Sequence, residues 1–214
     1  MSAYHIDRAR RHAAARQWPD ALEAVGLAVE KSPDDANAWY FKGTVEMGAG
    51  LFREAMQSAA RATALAPGDA KSWILAGGAA EEAGDLEAAR EAYDRAVAAS
   101  PRWGLAWNRV GTLAFDAGQL EKAESAFVKA VDCDPRHARS WNNLALVRIG
   151  VGNLDAAEEA LKRALAVAPD YSIAYRNLGR VAGARGDAVR RDAYEGLAAR
   201  IDEVRAQEAA GEIR

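Results

Sequence analysis

The side chains best suited to covalent or metal chemistry are few and far apart: one cysteine, Cys133, and three histidines, His5, His12 and His137. His5 and His12 can share a helix face, but no acid or thiol joins them to complete a ligand set. Cys133 and His137 stand four residues apart, yet Pro135 between them breaks the helix that would align them. Asp132 and Asp134 would raise the thiol pKa rather than lower it, so Cys133 reads as a structural residue at a helix end. Gly77-Gly78 and Gly48-Ala49-Gly50 have the glycine density of a phosphate loop, but they lie in or at the ends of expected helices and follow no strand. Arg185-Gly186-Asp187 spells an adhesion tripeptide and also falls on an expected helix turn. Of the six tryptophans only Trp18 and Trp103 lie off a regular interval, and regularity is the habit of core residues rather than of stacking platforms. No enzymatic activity, cofactor or metal is expected.

The elements that position these residues announce themselves by period. Pro33, Pro67, Pro101, Pro135 and Pro169 recur every 34 residues, and Trp39, Trp73, Trp107, Trp141 and Tyr175 keep the same interval. Gly50, Gly84, Gly118, Gly152 and Gly186 repeat it again. Three rows of unlike residues sharing one period predict stacked supersecondary units, and hence a solenoid.

The bulk numbers narrow the class further. Half the residues are hydrophobic while aromatics are 7%, which predicts helix packing through small residues with a few large anchors. A net charge of −3 and a pI near 5.7, with cations dispersed among carboxylates, predict no nucleic-acid partner. No window approaches the run of about 18 apolar residues that a membrane span needs, so no membrane insertion is expected. A single cysteine fits a reducing compartment, and a cytoplasmic location is expected.

Within one unit, Leu105 to Asp116 predicts a first helix, Ala117-Gly118-Gln119 a turn, and Leu120 to Val131 a second helix closed by Pro135. Gly118 supplies the left-handed conformation that ends a helix, and the proline stops the next one. Trp107, Gly111 and Ala114 share a stripe on the first helix, and Ala123, Phe127 and Ala130 share one on the second. Small Gly111 and Ala123 are expected to let the backbones approach, with Trp107 and Phe127 filling the wider ends.

This arrangement resembles the tetratricopeptide repeat family: an aromatic, then Leu-Gly, a tyrosine, then Ala, an aromatic, Ala and a closing Pro. The nearest matches are Trp107, Val110, Gly111, Ala123, Phe127, Ala130 and Pro135, and Trp141, Leu144, Ala145, Ala157, Leu161, Ala164 and Pro169. The resemblance implies an all-α fold: an α-solenoid, a right-handed superhelix of about six helix-turn-helix units plus a C-terminal capping helix. It covers residues 1–214 as one domain, with units at 2–35, 36–69, 70–103, 104–137, 138–171 and 172–186 and the cap at 187–208. Departures are informative. Glu46, Ala80, Ala114 and Arg148 replace the usual tyrosine and Lys42 replaces the leucine, which predicts a thin core. The first unit has His5 and Ala9 at the aromatic and glycine places and reads as degenerate. In the cap, Tyr194, Leu197, Ile201 and Val204 form one apolar stripe among Arg190, Arg191, Glu195, Asp202, Glu203 and Arg205. The polar outer face predicts the end of the array, with fraying beyond Ala206. Gly196 inside this helix costs about 1 kcal/mol relative to alanine.

In that family a second stripe on each first helix lines a concave groove holding an extended peptide or a partner helix. Mapped by position, it is Asn37, Tyr40, Phe41, Thr44 and Met47 in the second unit, and Lys71, Ile74, Leu75 and Gly78 in the third. The fourth contributes Leu105, Asn108, Arg109, Thr112 and Phe115. The fifth adds Arg139, Asn142, Asn143 and Leu146, and the sixth Arg176, Asn177 and Arg180. Tyr40, Phe41, Ile74, Leu75 and Phe115 are unexpected on a solvated stripe and mark either an interaction surface or fillers of the thin core. The asparagine and arginine end offers amide pairing and a fork for carboxylates. The expected function is a non-enzymatic interaction module of adaptor, scaffold or co-chaperone type. Its expected partner is a protein or peptide with an apolar segment and an acidic end. The alternative is a structural scaffold that self-associates into homo-oligomers through its repeats. A chaperone-tail clamp is not expected, because no three consecutive units supply its Lys, Asn and Arg set.

Overall fold

Helix starts and stops follow the punctuation closely. Asp35, Asp69, Asp85 and Asn153 each accept a backbone N–H from the first turn of the helix they precede, satisfying donors that have no partner inside the helix. At the other ends Gly50, Gly84, Gly118, Gly152 and Gly186 turn the chain with φ between 72° and 84°. In the degenerate first unit Arg16 occupies that place and takes φ 54°, a conformation in which its Cβ crowds the backbone.

The computed structural model describes residues 2–210, all-helical with no strand among them. The chain divides into two compact units with the boundary between Arg102 and Trp103. The first holds α1 (Ser2–Ala14), α2 (Trp18–Lys31), α3 (Ala36–Gly48), α4 (Phe52–Leu65), α5 (Ala70–Ala83) and α6 (Leu86–Ala99). The second holds α7 (Gly104–Asp116), α8 (Leu120–Cys133), α9 (Ala138–Gly150), α10 (Leu154–Val167), α11 (Ser172–Ala184) and α12 (Ala188–Ala210). Each first helix packs on its own second helix, and each second helix packs on the next first helix of its unit. First helices also touch directly, α1 to α3 and α3 to α5, then α7 to α9 and α9 to α11. No comparable packing joins α2 to α4 or α8 to α10 among the described residues, so in each unit the first helices crowd together on an inner face. The whole is an all-α helical repeat solenoid.

The proline and tryptophan rows turn out to be one device. The indole N–H of Trp39 donates to the Pro33 carbonyl at 2.8 Å, that of Trp73 to Pro67 at 2.8 Å, and that of Trp141 to Pro135 at 2.9 Å. Each tryptophan thereby satisfies a loop carbonyl that no helix can reach.

The core is built from matched pairs. The Phe127 ring lies over Gly111, with its Cε1 2.6 Å from where a Cβ would stand, and the Tyr93 ring covers Gly77 in the same way. Phe127, expected at the wider end of the pair, lies over Gly111 itself, and the space a side chain there would need belongs to the ring. At the matching places of α9 and α10, Ala145 meets Leu161, both buried. In α3 and α4 the pair is Gly43 and Ala59, and the void is closed from the next helix by Leu75, whose Cδ2 comes within 2.9 Å of a Cβ built on Gly43.

Polar substitutions in the core are satisfied. Glu46 is 3% exposed, receives Lys42 Nζ at 2.7 Å and accepts the Ser58 hydroxyl at 2.6 Å, and Lys42 also donates to Ser58 at 3.1 Å. Arg148 donates from Nε to Glu124 at 3.0 Å and from Nη1 to the Ala156 carbonyl at 3.2 Å. Two of the four places vacated by tyrosine, Glu46 and Arg148, thus hold hydrogen-bonded groups.

The last helix, Ala188–Ala210, lies close to the expected cap at 187–208 and is the longest of the described helices. It has 23 residues, against 14 for α2, α4, α6, α8 and α10, and it continues past Ala206 to Ala210. Tyr194 packs on the cluster around Leu178 and Ala198 is buried, but Val204, last of the apolar stripe, is 45% exposed. Arg185 of the Arg-Gly-Asp turn is engaged by Asp155 and Glu158 of α10.

Candidate functional site

In the first unit the second stripe is only half exposed. Tyr40, Phe41, Ile74 and Leu75 are all partly buried, whereas Asn37, Thr44 and Lys71 are exposed. Phe41 packs against the clusters containing Ile6 and Ala9, stacks edge-on with Tyr40 at 6.5 Å and carries the Arg10 guanidinium 4.9 Å above its ring. Leu75 fills the space over Gly43, and Thr44 turns its hydroxyl back to the Tyr40 carbonyl at 2.9 Å. Phe41 and Leu75 therefore have core duties, and Tyr40 and Ile74 are the apolar residues with surface to spare. A shallow place opens at Gly78, where a Cβ would meet only Met47 and the Tyr93 hydroxyl at 3.9 Å.

In the second unit the asparagines face their neighbours more than solvent. Asn108, Asn142 and Asn177 are buried. Asn177 Nδ2 donates to Asn142 Oδ1 at 2.8 Å across α11 and α9, and Arg180 Nη1 donates to Asn177 Oδ1 at 3.2 Å. Asn108 Nδ2 donates to Ser140 Oγ at 2.9 Å across α7 and α9. The same Ser140 oxygen lies 2.6 Å from His137 Nδ1, so with one acceptor position filled by Asn108 its own proton is available to a neutral imidazole. Burial lowers the His137 pKa, Asp134 opposes that shift, and the Arg139 charge lowers it further, a net direction that suits the pairing. The amide ladder thus ties the first helices together while Asn143 remains half-buried beside it. Sequence reasoning did not find Ser140, and weighed His137 only as a metal ligand or a partner for Cys133. The available signal was a serine, shared only with Ser72, in a row that otherwise reads Ala38, Ala106 and Ala174.

The arginines differ among themselves. Arg176 is already paired with Asp202 of α12. Arg109, Arg139 and Arg180 reach no carboxylate within ion-pair distance among the described residues, while Arg8, Arg90, Arg148 and Arg205 each do. Burial raises the pKa of the Tyr171 phenol, and the charge of Arg139 opposes that shift. Thr112 turns its hydroxyl to the Asn108 carbonyl at 3.0 Å, and Phe115 packs on the cluster of Phe127, Leu144 and Val147. The face left to solvent is an arginine-lined shelf over a floor of buried amides.

Among the described residues no group of three His, Cys, Asp or Glu side chains is placed to hold a metal ion. None of the described helices is long and apolar enough to cross a membrane. His12 Nδ1 pairs with Gln17 at 2.8 Å, His5 stacks edge-on with Tyr4 at 5.4 Å, and Cys133 ends α8.

Comparison with known proteins agrees with this architecture. No curated protein matches the chain. A crystal structure of MamA superposes with a TM-score of 0.69 at 21% identity, covering 77% of this chain and 96% of that one. YrrB, described as a TPR protein with an unusual peptide-binding site, gives 0.62 at 23% identity over 79% of this chain and 88% of its own. TTC0263, a thermophilic TPR protein of Thermus thermophilus, gives 0.64 at 20% identity, over 86% and 98%. At these identities the likeness concerns the fold. Two family models described as tetratricopeptide repeat match residues 6–70, 42–102 and 114–181, most of the sequence, and the chain belongs to the tetratricopeptide repeat family.

Proposed function

We propose that this chain is a non-enzymatic protein–protein interaction module that holds partner segments on the inner faces of its repeats. The repeats themselves support an interaction module, and the similar fold of YrrB is described with a peptide-binding site. The observation that carries the finer reading is the set Arg109, Arg139 and Arg180. Three guanidinium groups share one face without a carboxylate partner among the described residues, and such groups favour an acidic segment whose oxygens accept paired N–H donors. The inner face of the first unit, with Tyr40 and Ile74 beside the opening at Gly78, suits an apolar segment.

The test begins with native copurification and mass spectrometry to identify a partner. Its affinity is then measured for wild type, for Ile74→Glu, and for Arg109→Glu combined with Arg139→Glu. Phe41 and Leu75 are poor probes because they also fill the core. Loss of affinity in either variant, with unchanged helix content, supports the inner faces as binding surfaces. Unchanged affinity in both rejects them.

A further inference from the structure

The nine-residue excess of α12 over its counterparts begins at Asp202, since the common length of 14 residues counted from Ala188 ends at Ile201. At 1.5 Å per residue the excess is about 13 Å of helix. No residue in it is buried, so apolar packing does not hold it. Two ion pairs do. Asp202 takes the guanidinium of Arg176 on α11, and Arg205 takes Asp170, just before α11, at 2.7 Å. All four side chains are well exposed, from 38% for Asp202 to 69% for Asp170, the situation in which ion pairs are weak and easily exchanged.

Arg176 belongs to the same positional row as Tyr40, Ile74, Asn108 and Asn142, the row that faces the inner side. From this we infer that the overhang of α12 is a tethered acidic occupant of the second unit's inner face, which an acidic partner segment displaces at Arg176. This rests on the reading of that face as a binding surface for acidic segments. A weak, exposed, intramolecular carboxylate lowers the affinity of a competing one without blocking it, and it restricts the face to ligands acidic enough to take its place.

The experiment uses the full chain and fluorescein-labelled hexaglutamate, with affinity read by anisotropy at low salt. Asp202→Asn is expected to bind the probe roughly two- to tenfold more tightly than wild type, the size set by an exposed pair. Glu203→Gln makes the same charge change next door and is expected to leave affinity unaltered. In an Arg176→Gln background the gain from Asp202→Asn is expected to vanish. Equal gains from Asp202→Asn and Glu203→Gln, or a gain that survives Arg176→Gln, overturn the inference, because overall charge alone would then be acting. Arg109→Gln with Arg139→Gln separates the underlying reading: if these weaken binding while Asp202→Asn equals wild type, the face stands and the tethered occupant does not. If they change nothing, or no form of the chain binds the probe, both fall.

Discussion

The ring of Phe127 occupies the volume that a side chain on Gly111 would need, and the same two places in the next repeat hold Ala145 and Leu161. Size is traded between facing positions, a methyl gained on one helix against a ring narrowed on the other. Gly111→Ala alone is expected to destabilise the fold by about 2 kcal/mol through overpacking. Phe127→Leu added to it should recover most of that loss, because the pair then matches the next repeat. Urea unfolding of both single variants and the double variant checks this, and additive losses would refute the pairing.

The Lys42, Glu46 and Ser58 cluster makes a second case. Glu46→Ala is expected to cost about 3 kcal/mol, since it leaves Lys42 and the Ser58 hydroxyl without their acceptor. Replacing all three, Lys42→Leu, Glu46→Ala and Ser58→Ala, should return stability to within about 1 kcal/mol of wild type. Thermal unfolding of the two variants decides between a required polar cluster and a replaceable one.

Arg16 holds φ 54° where every later repeat has glycine. Arg16→Gly is expected to stabilise by about 0.5–1 kcal/mol, the relief of left-handed strain less the added freedom of the unfolded chain. An unchanged or lower unfolding midpoint would contradict this.

Gly196 lies inside α12 with open space where its Cβ would be. Gly196→Ala should raise stability by about 1 kcal/mol from helix propensity alone, measured as a shift in the urea midpoint without change in its slope.

Glu158 is held down to about 2, first by Lys162 and then by Arg185, below its ordinary value of 4.5. A carboxyl lowered in the folded state stabilises it fully above the ordinary value, and the contribution disappears as pH falls from about 4.5 to about 2. Glu158→Gln is expected to flatten the loss of stability across that interval and to leave the slope near pH 7 unaltered, as acid titrations followed by circular dichroism would show.

Much of the fold was legible because its signals are local and repeated: a proline that cannot continue a helix, a glycine that turns it, an aromatic at one interval. Helix limits around Gly118 followed from those residues almost to the position. The inner face was less legible. Asn108 and Asn142 look alike as free amides in sequence, but whether an amide meets solvent or a neighbouring helix depends on how closely first helices approach, a distance that no single repeat encodes. Phe41, Leu75 and Phe115 broke the polar pattern for a similar reason, since each fills space beside small residues elsewhere, as Leu75 does for Gly43. The cap was legible nearly to its length, 187–208 against the observed Ala188–Ala210, but the expected fraying beyond Ala206 was not met, since no proline or turn glycine interrupts the chain between Ile201 and Ala210.

The bond from Trp39 to Pro33 closes within six residues of chain, and so do its copies at Trp73 and Trp141. Each such joint is self-contained. A 34-residue cassette cut outside that six-residue span and duplicated would carry its own latch, so an array of this kind can be lengthened or shortened by whole units without redesigning the seams.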